Sequence, residues 1–213
     1  MTSEITPTAT WTRLAGISGA LGVLFYFGAA FLPGPEALSR LLAFAFGPLL
    51  AISFLGLYRF MARHHDGPLL QIAFLFAFAA GLMVTTMLVV QVGNNMVLQE
   101  ALAEADGETG EEAARLAWRA VNRVQYLLDV VWDIFICVGT FLFGVAMLRH
   151  PRFGKIWGGL GILASILLLA LNLQTFPTAP AYAGSIDVGP VLALWCLAVF
   201  VRMLLLPASS ADS

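Results

Sequence analysis

The chain is short of charge. Of its 213 residues, 11% are charged and 60% are hydrophobic, whereas soluble domains run nearer a quarter charged and half apolar. Lysine is almost missing: Lys155 is the only one, and the other basic residues are arginines. That bias points to a GC-rich bacterial genome. The net charge is −2 and no basic patch is visible, which argues against a nucleic-acid partner. Cysteine is scarce too. Cys137 and Cys196 both fall in apolar runs, without the spacing of a disulfide framework or a metal site, and read as small buried thiols.

Signatures of chemistry are also missing. There is no HExxH, P-loop, nucleophile elbow or haem ligand pair. His64, His65 and His150 fall in loops and read as interfacial residues. The serines and cysteines lack a histidine at the same depth, which argues against a Ser–His or Cys–His hydrolase. The sequence therefore implies no cofactor and no metal, and it leans away from an enzyme.

What is there is a set of long apolar runs. A bilayer core of about 30 Å needs about 20 apolar residues per helix. Runs at about 14–32, 41–61, 69–105, 110–148, 156–173 and 188–206 predict an all-α, polytopic bundle of six transmembrane helices in a single domain, 1–213. The first run is too long for the apolar stretch of a signal peptide, and it reads as a retained helix. Pro33, Gly34 and Pro35 should end it, because proline lacks the amide and clashes with a continuing helix.

Orientation follows from Lys and Arg near helix ends. One side receives Arg13, Arg59, Arg63, Arg149, Arg152, Lys155 and Arg202, and the other Arg40, Arg115, Arg119 and Arg123. The asymmetry places both termini in the cytoplasm. Helix three stays rich in helix formers through Met96 to Ala105, and Asp106 and Gly107 mark a turn. Thr109 and Glu112 have the spacing of a capping box that would start helix four near Gly110. Helix four would then run roughly 58 Å to Leu148, about twice the bilayer core. Helices three and four should project as an acidic, extracytoplasmic helical hairpin.

Glycines recur at helix starts. Arg13, Gly16 and Gly19 match Lys155, Gly158 and Gly161 in offset, and Gly154 with Gly158 forms a GxxxG; close helix packing explains both. On a wheel of about 100° per residue, Arg115, Arg119, Asn122, Tyr126, Asp129 and Asp133 share a wedge of roughly 80° on helix four. Lipid does not satisfy such a stripe, so it should face the bundle or a wet cavity. Counting outward from Leu148 puts Asp129 near the outer boundary and Asp133 roughly 6 Å below it. Gln91, Asn94, Asn95, Asn172, Gln174, Asp187 and Arg40 fall at about the same level on other helices. The expectation is a polar cup with candidate ligand-binding residues Asp129, Asp133, Tyr126, Asn122, Asn95, Gln91, Asn172, Asp187 and Arg40. The Pro-containing loop from Asn172 to Pro190 could cover it, with Ser185 or Asp187 capping helix six.

Two stretches carry a resemblance. One runs from Leu128 through Asp129, Val130, Val131, Trp132 and Asp133 to Gly139, Gly144 and the Arg149–Gly154 segment; the other is Asn172 to Pro190, with TFPTAPAYAGSIDVGP inside it. Together they resemble an uncharacterised bacterial family of six-helix inner-membrane proteins, a domain of unknown function. The resemblance covers the C-terminal half best, and implies the fold and membrane without an activity or a ligand. The partners expected from the residues are the lipid bilayer and a small polar ligand, a lipid headgroup or a protein partner at an outward-facing polar site. A small-solute or ion-coupled transporter ranks second, because few polar residues line the cytoplasmic halves. An intramembrane enzyme using Asp129 and Asp133 ranks third.

Overall fold

A computed structural model describes residues 7–31 and 34–206. Among these there are six α-helices and no strand: α1 Pro7–Phe31, α2 Glu36–Ala62, α3 Pro68–Glu104, α4 Gly107–Met147, α5 Gly154–Thr175 and α6 Gly189–Leu205. Leu32 and Pro33, where the first helix was expected to stop, lie outside the described residues. The first five helices are long and apolar enough to cross a membrane; α6 has 17 residues. Large apolar side chains such as Leu24, Leu41, Leu75, Leu163 and Leu194 stand exposed around the bundle. An apolar exterior on this scale suits lipid rather than water as the surrounding solvent.

Each helix packs on its neighbours in sequence, and α6 returns against α1. At the centre, Phe54 of α2 stacks on Phe143 of α4 at 5.6 Å and meets Phe200 of α6 edge-on at 5.5 Å. All three are fully buried. Small residues set the helix spacing. A Cβ added at Gly139 of α4 would lie 2.7 Å from the Ala77 amide nitrogen of α3. Gly144 of α4 and Gly158 of α5 approach one another so closely that a Cβ on Gly144 would lie 2.9 Å from the Gly158 carbonyl oxygen. Gly154 plays a different part from the one its GxxxG spacing suggests: it has φ +74° and open space around it, so it serves the turn into α5.

The end of the bundle where α1 begins and α6 ends is tied by aromatic and arginine side chains. Arg59 lies over the Trp11 ring at 4.3 Å and Arg202 over Trp157 at 5.2 Å. The Arg202 Nε also donates to the Arg152 carbonyl at 2.9 Å, and the Trp195 indole donates to the Trp157 carbonyl at 3.0 Å. At the other end, α3 and α4 are separated by Ala105 and Asp106 alone. Asp106 is the N-cap and makes no side-chain cap, so the Thr109–Glu112 box does not start α4. The helix begins earlier, at Gly107, whose φ of +71° lets the chain reverse immediately. Thr109 is then already inside the first turn, where its hydroxyl is not placed to cap.

Gly139→Leu should wedge α3 from α4 and cost about 1–3 kcal/mol, the usual range for overpacking. Gly159→Leu is the control, since nothing lies within 4 Å of a Cβ there. Thermal unfolding in detergent should show a lower midpoint for the first and little change for the second. Equal midpoints would refute the packing role of Gly139.

Candidate functional site

A cavity of about 810 Å³ opens among α1, α2, α3, α4, α6 and the segment before α6. Along α2 its lining runs from Glu36 to Leu50, roughly 21 Å at 1.5 Å per residue. Its walls are mostly apolar. Tyr26 and Phe46 have ring centroids 4.8 Å apart, and Phe46 meets Trp132 edge-on at 6.3 Å. Polar groups enter from α2 (Glu36, Ser39, Arg40), α3 (Gln91, Asn95, Gln99, Glu100), α4 (Gln125, Asp129, Asp133) and Asp187.

Asp133 is the deepest carboxylate. It is 6% exposed, in the middle of an apolar helix, where a carboxyl group without a polar neighbour is unfavourable. Asn172 of α5 supplies that neighbour. Its amide donates 2.8 Å to Asp133 Oδ2 and 3.0 Å to the Leu168 carbonyl. Asn172 is fully buried, and its own Oδ1 has no hydrogen-bond partner among the described residues. The amide thus spends its donors and leaves an acceptor beside the carboxylate.

One turn outward, Asp129 faces the cavity without an ion pair among the described residues. Asp187 lines the same cavity. Asp187 Oδ1 accepts the Gly189 amide at 2.8 Å, which secures the start of α6 although Val188 is the N-cap. Ser185 is instead engaged through its backbone amide with the Pro180 carbonyl. Ala179 and Pro180 line the cavity, so the loop after α5 does lie against it. Arg40 reaches the cavity but pairs with Glu36, one turn before it on α2, rather than with Asp133.

Gln91 and Asn95 line the cavity, and Asn95 Oδ1 also accepts the Trp118 indole at 2.9 Å. Asn94 donates to the Trp118 carbonyl at 3.1 Å, so this pair fastens α3 to α4. Asn122 and Tyr126 are half-buried and do not line the cavity. The cavity face of α4 is formed by Gln125, Asp129, Trp132, Asp133 and Ile136. On the helical wheel this face is turned roughly 50° from the wedge that the polar residues alone describe. Gln125 and Trp132 are the residues that sequence reasoning missed. Gln125 is 2% exposed and its Oε1 has no partner among the described residues; the Trp132 Nε1 is also buried and unpartnered. Their signal was the spacing itself, four before Asp129 and three after it.

The histidines correct another expectation. His150 is buried rather than interfacial, with its ring 4.5 Å from that of His64 and packed on Phe60 and Phe153. Its Nδ1 accepts the Arg152 amide at 3.2 Å. Burial, with His64 and Arg152 adding to it, lowers its pKa to about 4, so it is neutral near pH 7. It therefore behaves as an aromatic packing residue at the end of the bundle opposite the α3–α4 turn. Among the described residues no group of three or more His, Cys, Asp or Glu side chains could hold a metal ion.

No family model, curated protein or solved structure matches the chain. The geometry of the cavity is therefore the ground for any functional reading.

The Asp133–Asn172 pair makes a direct prediction. Asn172→Leu removes the buried donor and should destabilise the protein by about 1–3 kcal/mol, the cost of an unsatisfied buried group. Asp133→Leu combined with Asn172→Leu replaces both partners by apolar groups and should recover most of the loss. Thermal unfolding of the two variants checks this; a double variant less stable than Asn172→Leu alone would rule the pairing out as the source of the effect.

Proposed function

We propose that this chain is a six-span integral membrane protein that binds a small amphiphile in a cavity reached from one face of the bilayer. One observation carries the reading. A cavity of about 810 Å³ combines an apolar wall with polar groups from several helices, while the core beside it is closed by Phe54, Phe143 and Phe200. That volume lies within the roughly 300–1,000 Å³ of small-molecule sites, and mostly apolar walls with a few placed polar groups are their usual make-up.

In this reading α6 is the sixth span; its 17 residues sit at the short end of the spanning range. An even number of spans keeps both termini on one face, and the arginine asymmetry puts that face in the cytoplasm of a bacterial inner membrane. The 37 residues of α3 and 41 of α4 correspond to roughly 55 and 60 Å of helix. Their ends project outward as an acidic hairpin, and the cavity opens on the same side. The likeness to the bacterial six-helix family belongs to the same proposal. Asp133 lies in one of the two stretches that carry it and Asn172 in the other. Transport ranks second because alternating access needs a site reachable from both faces, and the buried phenylalanines fill the way through.

The test is a titration of the protein in phosphatidylcholine discs with n-octanol, followed by tryptophan fluorescence against empty discs. A saturable change with one site per protein is expected. Ala43 lines the cavity and is 8% exposed, so Ala43→Phe should fill the space and weaken binding at least tenfold. A non-saturable response, or one that Ala43→Phe leaves unchanged, would remove the binding reading.

A further inference from the structure

The cavity's polar groups have a chemical bias. Asp129 and Asp133 bring carboxylates on successive turns of α4, and Asp187 adds another from the segment before α6. The buried Gln125 adds a carbonyl oxygen without a partner among the described residues. Among the described residues, the one cation in the lining, Arg40, is already engaged with Glu36. Apart from the Trp132 indole N–H, the unmet need at this end is for hydrogen-bond donors and positive charge. Beside these acceptors stand Trp132 and Phe46, whose ring faces also favour a cation.

We propose that the ligand is a lipophilic primary amine, held with its ammonium group between Asp129, Asp133 and Gln125 and its apolar body along the α1–α2 wall. An ammonium offers three donors and no acceptor, which complements two carboxylates and a lone amide oxygen. A carboxylate or phosphate head would meet like charge there. A quaternary ammonium would satisfy the charge but leave the Gln125 oxygen unbonded. The unpartnered Trp132 indole N–H suits an oxygen near the amine, such as a hydroxyl or ester. This inference rests on the binding role proposed above and narrows it to one class of head group.

The experiment compares n-octylamine, n-octanol and n-octanoate at pH 7 in discs of phosphatidylcholine, whose quaternary head lacks N–H donors. Octylamine should bind at least tenfold more tightly than octanol, and octanoate more weakly than either. Asp129→Asn keeps the side-chain size and should reduce octylamine affinity at least tenfold, and by a larger factor than it reduces octanol affinity, given charge-assisted bonds of this strength. Gln125→Leu should weaken the amine selectively in the same way. An unchanged thermal unfolding midpoint shows that each variant is folded. Repeating the titration in discs that contain phosphatidylethanolamine separates the sources of the amine: competition identifies a lipid head group, and its absence a free amine. Equal affinity for octylamine and octanol, or insensitivity to Asp129→Asn, would overturn the amine assignment and leave the cavity reading standing. Absence of saturable binding by all three probes would overturn both.

Discussion

A carboxyl group carried in the middle of an apolar helix must be given a polar neighbour, and here that neighbour is Asn172. The requirement orients two helices at once. It turns α4 so that Asp133 faces inward, and it holds α5 with its last turn against that face. The same rotation brings Gln125 and Asp129 onto the cavity side and leaves Asn122 and Tyr126 on the flank. Because lipid offers no hydrogen bonds, the alternatives for α4 are few. A single buried amide therefore fixes which residues of a long helix line the cavity.

Packing supplies the other half of the design. Glycines at 139, 144 and 158 let α3, α4 and α5 approach closely, so contact comes from dense backbone packing as it commonly does between helices in lipid. The space saved there is filled toward the centre by Phe54, Phe143 and Phe200. Toward the α3–α4 turn, Tyr26, Phe46 and Trp132 line a wall instead of closing one. The bundle is thus close-packed in one part and hollow in another, and the carboxylates of α4 stand in the hollow part.

Much of the helical architecture could be read from hydropathy because the bilayer sets the length of each run. The inward placement of Asp133 could be read too, since the cost of exposing it to lipid is large. Other features were hidden for physical reasons. Gln125 lies off the wedge that the other polar residues of α4 describe, and it is buried on the cavity face. Trp132 lies off it too, and its indole N–H has no partner among the described residues. Arg40 sits at the expected level, yet Glu36 four residues earlier is the nearer partner on the same helix. The histidine pair escaped because loop position suggests solvation, whereas Phe60 and Phe153 cover His150. Gly154 showed a packing motif in spacing alone; its backbone conformation belongs to a turn.

The central claim is that the polar cavity communicates with one face of the membrane and is closed toward the other by the buried phenylalanines. The most direct measurement places a single cysteine at Gln91, in a background with Cys137 and Cys196 replaced, and applies a membrane-impermeant thiol reagent. Intact cells should label, because Gln91 lines the cavity at the end that carries the α3–α4 turn. Inside-out vesicles should remain unlabelled by the same reagent. Labelling of comparable rate from both faces would contradict the account, since it requires a path past Phe54, Phe143 and Phe200.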